Sequence, residues 1–131
     1  MKNIFLPILL LLSACSNCDI PYGEYKSVGG TESLTTLVLN AELYTLKFEH
    51  WKPADYENRS TIHERGKWSC SDRVVEIKTK NGTAIAELKE IGDNPLGLPI
   101  STTALVFNET SNDILSKTIL YSGESFKLLE E

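Results

Sequence analysis

A chain of 131 residues has room for one domain, and its 41% apolar and 24% charged residues are those of an ordinary globular protein, which excludes wholesale disorder. The formal net charge is −5. With no basic run longer than two residues, that balance excludes the clustered Lys and Arg of a nucleic-acid partner and argues against adsorption to anionic headgroups.

Met1-Lys2-Asn3 is a short positive start, and Ile4 to Leu12 is an apolar run interrupted only by Pro7. The run is about half the length that a helix needs to cross a bilayer, so it reads as a secretion signal rather than a membrane anchor. It ends in Leu12-Ser13-Ala14-Cys15. Those four residues resemble the lipobox of bacterial lipoproteins: a branched apolar residue, two small ones, then cysteine. The resemblance implies cleavage after residue 14 and a diacylglyceryl thioether on Cys15. It also implies a lipid bilayer as partner and, with Ser16 instead of Asp after the cysteine, the periplasmic side of an outer membrane. Several acyl chains hold far more firmly than one, at about 0.8 kcal/mol per buried methylene. Loss of residues 1–14 removes Lys2 and no acid, which takes the net charge from −5 to −6. Residues 15–21 are then a lipidated start and short tether, and 22–131 a single β domain.

Three cysteines are present, Cys15, Cys18 and Cys70. With Cys15 acylated, two thiols remain in an oxidising compartment, and an even remainder suggests a Cys18–Cys70 disulfide. Two free thiols too far apart to meet are the alternative. Neither thiol has a Cys or His neighbour at ligand spacing, so no metal or other cofactor is implied.

Along the rest of the chain period-two alternation dominates. Tyr22 to Ser27 is a first strand. Thr35 to Leu39 and Tyr44 to His50 form a hairpin around Asn40-Ala41-Glu42, with Tyr44, Leu46 and Phe48 on one face. Ser60 to Ser69 follows as a strand. Val74 to Thr79 and Ala84 to Leu88 flank Asn81-Gly82, the strongest short hairpin signal, which predicts a type I′ turn with positive φ at both residues. Residues 92–99 hold two prolines and two glycines and read as a loop. Strands are expected at Thr103 to Asn108, Lys117 to Tyr121 and Phe126 to Leu129, with a helical turn after Ser111 as its cap. Many short strands in succession predict an all-β fold, a small up-and-down antiparallel barrel or a sandwich.

Gly23-Glu24-Tyr25, the Leu-rich strand, Tyr44-Thr45-Leu46 and Gly66-Lys67-Trp68 resemble the N-terminal barrel of the copper-resistance lipoprotein NlpE and related lipocalin-like lipoproteins. The resemblance covers about residues 22–88 and implies a barrel. That family carries a C-x-x-C after its first strand; here the stretch is Val28-Gly29-Gly30-Thr31-Glu32-Ser33, so the copper and redox chemistry does not carry over.

The densest aromatic and charged stretch runs from His50 to Trp68. It supplies Trp51, Tyr56, Arg59, His63, Arg65 and Trp68, residue types that binding surfaces favour. The same residues also suit a hairpin tip whose Trp rings merely cover a barrel end. His50 and His63 are candidates for a metal or acid–base pair, with no third ligand indicated. Glu87 and Glu90 read as solvated strand residues rather than a hydrolytic pair, and no serine lies in a nucleophile elbow. The sequons at Asn58, Asn81 and Asn108 read as turn residues beside a lipobox. No catalytic constellation stands out. The expectation is a membrane-anchored, non-catalytic binding module, with an envelope protein as partner. The alternatives are an immunity or inhibitor protein against a toxin or hydrolase, and a carrier of small apolar ligands.

Overall fold

The computed structural model describes residues 18–27, 32–91 and 102–123. The signal, Cys15, the 92–99 loop and the Phe126 to Leu129 run lie outside these. The described chain is all-β. Eight strands, β1 (Gly23–Lys26), β2 (Ser33–Leu39), β3 (Leu43–His50), β4 (Ser60–Ser71), β5 (Val74–Thr79), β6 (Gly82–Ile91), β7 (Thr102–Phe107) and β8 (Ile119–Ser122), pair antiparallel in chain order. The ring closes where Tyr25 and Lys26 of β1 pair with Ser122 and Tyr121 of β8. The sheet is therefore a closed barrel and not a sandwich, with no strand left at an edge of the ring.

Alternation decides what the barrel contains. Leu37 and Leu39 of β2 pair with Leu46 and Tyr44 of β3, while Val75 and Ile77 of β5 pair with Ala86 and Ala84 of β6. All eight side chains are buried. Eight strands make an interior that side chains alone can fill, and small Ala84 and Ala86 face larger partners so that the layers interlock. Tyr44 shows the economy of the packing. Its cross-strand partner is Gly66, where a Cβ would come within 2.9 Å of the ring. The ring lies over that gap and its hydroxyl reaches Glu64 Oε2 at 2.6 Å and the Lys78 carbonyl at 3.0 Å.

Each end is plugged. At the end where β4 passes into β5, Cys18 and Cys70 form a disulfide with Cα atoms 5.5 Å apart. Cys18 also bridges to Asp72, and Ile20 is buried in the core. Among the described residues, packing therefore includes Cys18 and Ile20, ahead of Tyr22. Tyr25 closes the same region by donating to the Pro21 carbonyl at 2.7 Å, and burial pushes its hydroxyl up to about 12. At the other end the β7–β8 connection folds inward and buries Leu115.

Two turn expectations need correction. The β5–β6 hairpin exists, but Thr79 pairs with Gly82, so the loop is Lys80-Asn81. Only Gly82 has positive φ there, at 122°, which rules out type I′. The Thr79 hydroxyl accepts from the Asn81 amide and donates to the Gly82 carbonyl, tying the loop from one side. In the β7–β8 connection the cap is Asn112, not Ser111. Asn112 Oδ1 accepts from the amides of Ile114 and Leu115, while the Ser111 hydroxyl is committed to the Asn81 carbonyl.

Candidate functional site

The β3–β4 hairpin is the longest arm of the barrel, because β4 has twelve residues and only its last four pair with β5. Its connection, residues 51–59, is a built loop. Asp55 accepts from the Asn58 side chain at 2.8 Å, Tyr56–Asn58 forms one 3-10 turn, and Ala54 stands at a φ of 63°. A left-handed alanine carries a conformational cost that its surroundings must hold in place. The Trp51 amide donates to the Glu32 carbonyl, which ties the tip to the chain entering β2.

Within this loop the aromatic and charged residues meet. Trp51 and Tyr56 pack edge to face with centroids 4.8 Å apart. The Arg59 guanidinium lies 4.4 Å from the Tyr56 centroid and donates to Glu49 Oε2 at 2.7 Å. Glu49 points to the outside of the barrel by parity, yet its side chain is only 5% exposed because Arg59 and Lys47 cover it. Burial alone would push its carboxyl up. The hydrogen bonds and charges of Arg59 and Lys47 outweigh that and hold it below the usual carboxylate range.

Two depressions flank this network. One, about 410 Å³, is walled by Trp51, Ala54, Asp55, Tyr56 and Glu57. The other, about 270 Å³, lies on the outer face of β1 to β4 and includes Lys26, Thr36, Lys47, Glu49 and His63. Glu49 joins them, since it lines the second and its partner Arg59 stacks on Tyr56, which walls the first.

Of the residues singled out in the sequence, Trp51, Tyr56 and Arg59 come together. His63 and Arg65 lie on the outer face of β4, opposite Lys47 and Thr45. Trp68 belongs elsewhere. It lies about 26 Å along β4 from Ser60, at about 3.3 Å per residue, where it donates to the Asn40 carbonyl at 2.9 Å and packs on Tyr22. The candidate His50–His63 pair is not formed. His50 pairs across to Ser60 and shares the inner-face parity of Tyr44 and Phe48, whose ring it stacks on, whereas His63 points outward. No group of three or more His, Cys, Asp or Glu suited to a metal occurs among the described residues. Glu87 is exposed on the outer face beside Lys89, and Glu90 is exposed with the opposite parity.

Nothing in the sequence pattern singles out Glu49, Asp55 and Glu57. Glu49 alternates as an ordinary outward strand residue, and only the fold brings Arg59 onto it. Comparisons with protein-family models, with curated proteins and with solved structures found no match for the chain.

Proposed function

We propose that the chain is a lipoprotein precursor, cleaved before Cys15 and acylated there, whose mature barrel is a non-catalytic binding module facing the periplasm from an outer membrane. The observation that carries this reading is the Cys18–Cys70 disulfide three residues beyond the Leu12-Ser13-Ala14-Cys15 motif. A structural disulfide requires an oxidising compartment, to which the apolar leader would deliver the chain. It also supports a reading of which end of the barrel would face the membrane. An acyl group on Cys15 would hold the disulfide end against the bilayer, and the β3–β4 tip would then point away from it. Ser60, where the tip begins, is about 33 Å along β4 from Cys70.

The acidic charge and the carboxylates of the tip favour a second reading, an inhibitor or immunity protein that blocks a basic enzyme at the envelope. A carrier of small apolar ligands finds less support. Leu37, Val75, Ile77, Leu105 and Leu120 leave no surface open even to water, so these interior positions line no cavity.

Mass spectrometry of the protein purified from its own membranes tests the proposal. The expected mass lacks residues 1–14 and carries two or three acyl chains on Cys15. A chain that keeps Met1, or begins at an unmodified Cys15, overturns it.

A further inference from the structure

We propose that the cleft at the β3–β4 tip is a receptor for a single basic side chain, a lysine or arginine presented by a protein partner. The inference rests on the binding-module reading above and supplies its ligand chemistry.

The loop already shows the recipe once. Arg59 sits over the Tyr56 ring while it is paired to the Glu49 carboxylate, so this ring accepts a guanidinium when an acid stands beside it. The attraction is that of a cation for the negative face of an aromatic ring, strengthened where water is excluded. The adjoining cleft repeats those components and is not lined by Arg59. It has the Tyr56 ring, a second ring from Trp51 set at 83° to it, and two carboxylates from Asp55 and Glu57. Neither acid makes an ion pair among the described residues, whereas Glu49 makes two. Tyr56 remains 49% exposed beside Trp51, so aromatic surface is open to a cation, and the carboxylates add charge-assisted hydrogen bonds.

The cleft is also held ready for an occupant. The left-handed Ala54, the Asn58-to-Asp55 bond and the Arg59 clamp order the loop before anything binds, so little conformational freedom is lost on binding. A volume of about 410 Å³ that is open to solvent suits the end of one long side chain, not a buried metabolite. The net charge of −5 attracts a basic partner from a distance.

The test is NMR of the intact protein, read at the Trp51 indole signal, which is distinguished from that of Trp68 by a Trp68→Phe variant. The probes are the amides of N-acetyl-lysine and N-acetyl-arginine, with N-acetyl-norleucine amide as the uncharged control and N-acetylglucosamine as the glycan control. The expected result is a saturable millimolar shift of the Trp51 signal with both cationic probes and none with the controls. Affinity should fall as salt is raised and weaken about tenfold in an Asp55→Asn, Glu57→Gln double variant. Both substitutions are on an exposed loop, and an unchanged spectrum elsewhere establishes that the barrel is intact. Absence of saturation, an equal response to norleucine, a response to the sugar alone, or an undiminished double variant each overturns the proposal. If the cationic probes fail while Cys15 is found acylated, the lipoprotein reading survives and the basic-ligand inference does not.

Discussion

At one end of the barrel a covalent bond holds Cys18 against Cys70 and drives Ile20 into the core; at the other, the β3–β4 tip is held by an aromatic contact, a guanidinium and a carboxylate. The first end uses connections that water cannot compete for. The second uses interactions that water and salt weaken, and it leaves Tyr56 49% exposed. On the proposed reading, stability and recognition would be separated along one strand, since β4 runs from the tip to the disulfide. Substitutions near Cys70 should change how firmly the barrel stands, and those near Tyr56 should change what it touches.

Removing the disulfide is the harshest way to break this comparison. The bond spans 52 residues, and a loop of that size is worth about 4 kcal/mol in the chain-entropy account. A Cys18→Ser, Cys70→Ser variant should lower the denaturant midpoint by that equivalent and free Ile20 from the core. The Trp51 environment should change far less at temperatures where the barrel stays folded. Unfolding curves read in parallel by Trp fluorescence in a Trp68→Phe background and by far-UV circular dichroism check both statements. If the tip signal shifts as much as the midpoint, the two ends are coupled and the separation fails.

Gly66 lies between the two ends and tests whether the shared strand transmits damage. A methyl group there meets Tyr44 Cε1 at 2.9 Å and the Lys78 carbonyl at 3.2 Å, so the Tyr44 ring must leave its place over the glycine. Gly66→Ala should cost about 1–3 kcal/mol by overpacking. Tyr44 should also lose its 2.6 Å bond to Glu64. That bond and burial both raise the ionisation of the hydroxyl well above the ordinary tyrosine range, with burial the larger cause. In the variant Tyr44 should form tyrosinate at lower pH, which absorbance titration detects. Because both Tyr25 and Tyr44 hold their protons more tightly when folded, the stability they contribute is full below pH 10 and is lost as pH rises from there.

Much of this architecture could be read from alternation. Tyr44, Leu46 and Phe48 on one face, and the hairpins around Asn40 and Asn81, follow from period two and turn chemistry alone. The turn at Asn81 was misread for a definite reason. Moving the pairing by two residues, from Lys80 opposite Thr83 to Thr79 opposite Gly82, leaves every side chain on its own face, so alternation cannot choose between them. The Thr79 hydroxyl and the distant Ser111 are bonded to the chosen loop. The tip was legible only in composition. Trp51, Tyr56, Arg59 and Trp68 look alike in composition, although the strand expected over Ser60 to Ser69 already carries Trp68 away from the tip. Glu49 was invisible because its burial comes from two cations on top of it, not from any pattern in its own strand.

The smallest expected effect is at Arg59, and it sharpens the comparison most. Arg59→Ala removes a cation–π contact and a partly exposed ion pair, together worth about 1 kcal/mol. Little should happen to the midpoint at neutral pH, since Lys47 still faces Glu49 at 3.5 Å. The change should appear on the acid side. A carboxyl held low when folded contributes stability that is present above its unfolded value, near 4.5, and is lost as pH falls through its folded value. Without Arg59, Glu49 loses a hydrogen bond and a charge that lower it together with part of its cover, so it moves back toward the ordinary carboxylate range. Its ionisation should move upward and the acid-side loss of stability should flatten. Carbon-detected NMR titration of the Glu49 carboxyl, with denaturant midpoints at matched pH, measures both. If the midpoint at neutral pH falls by as much as it does without the disulfide, the tip is part of the barrel's structural frame, and its chemistry is not reserved for a partner.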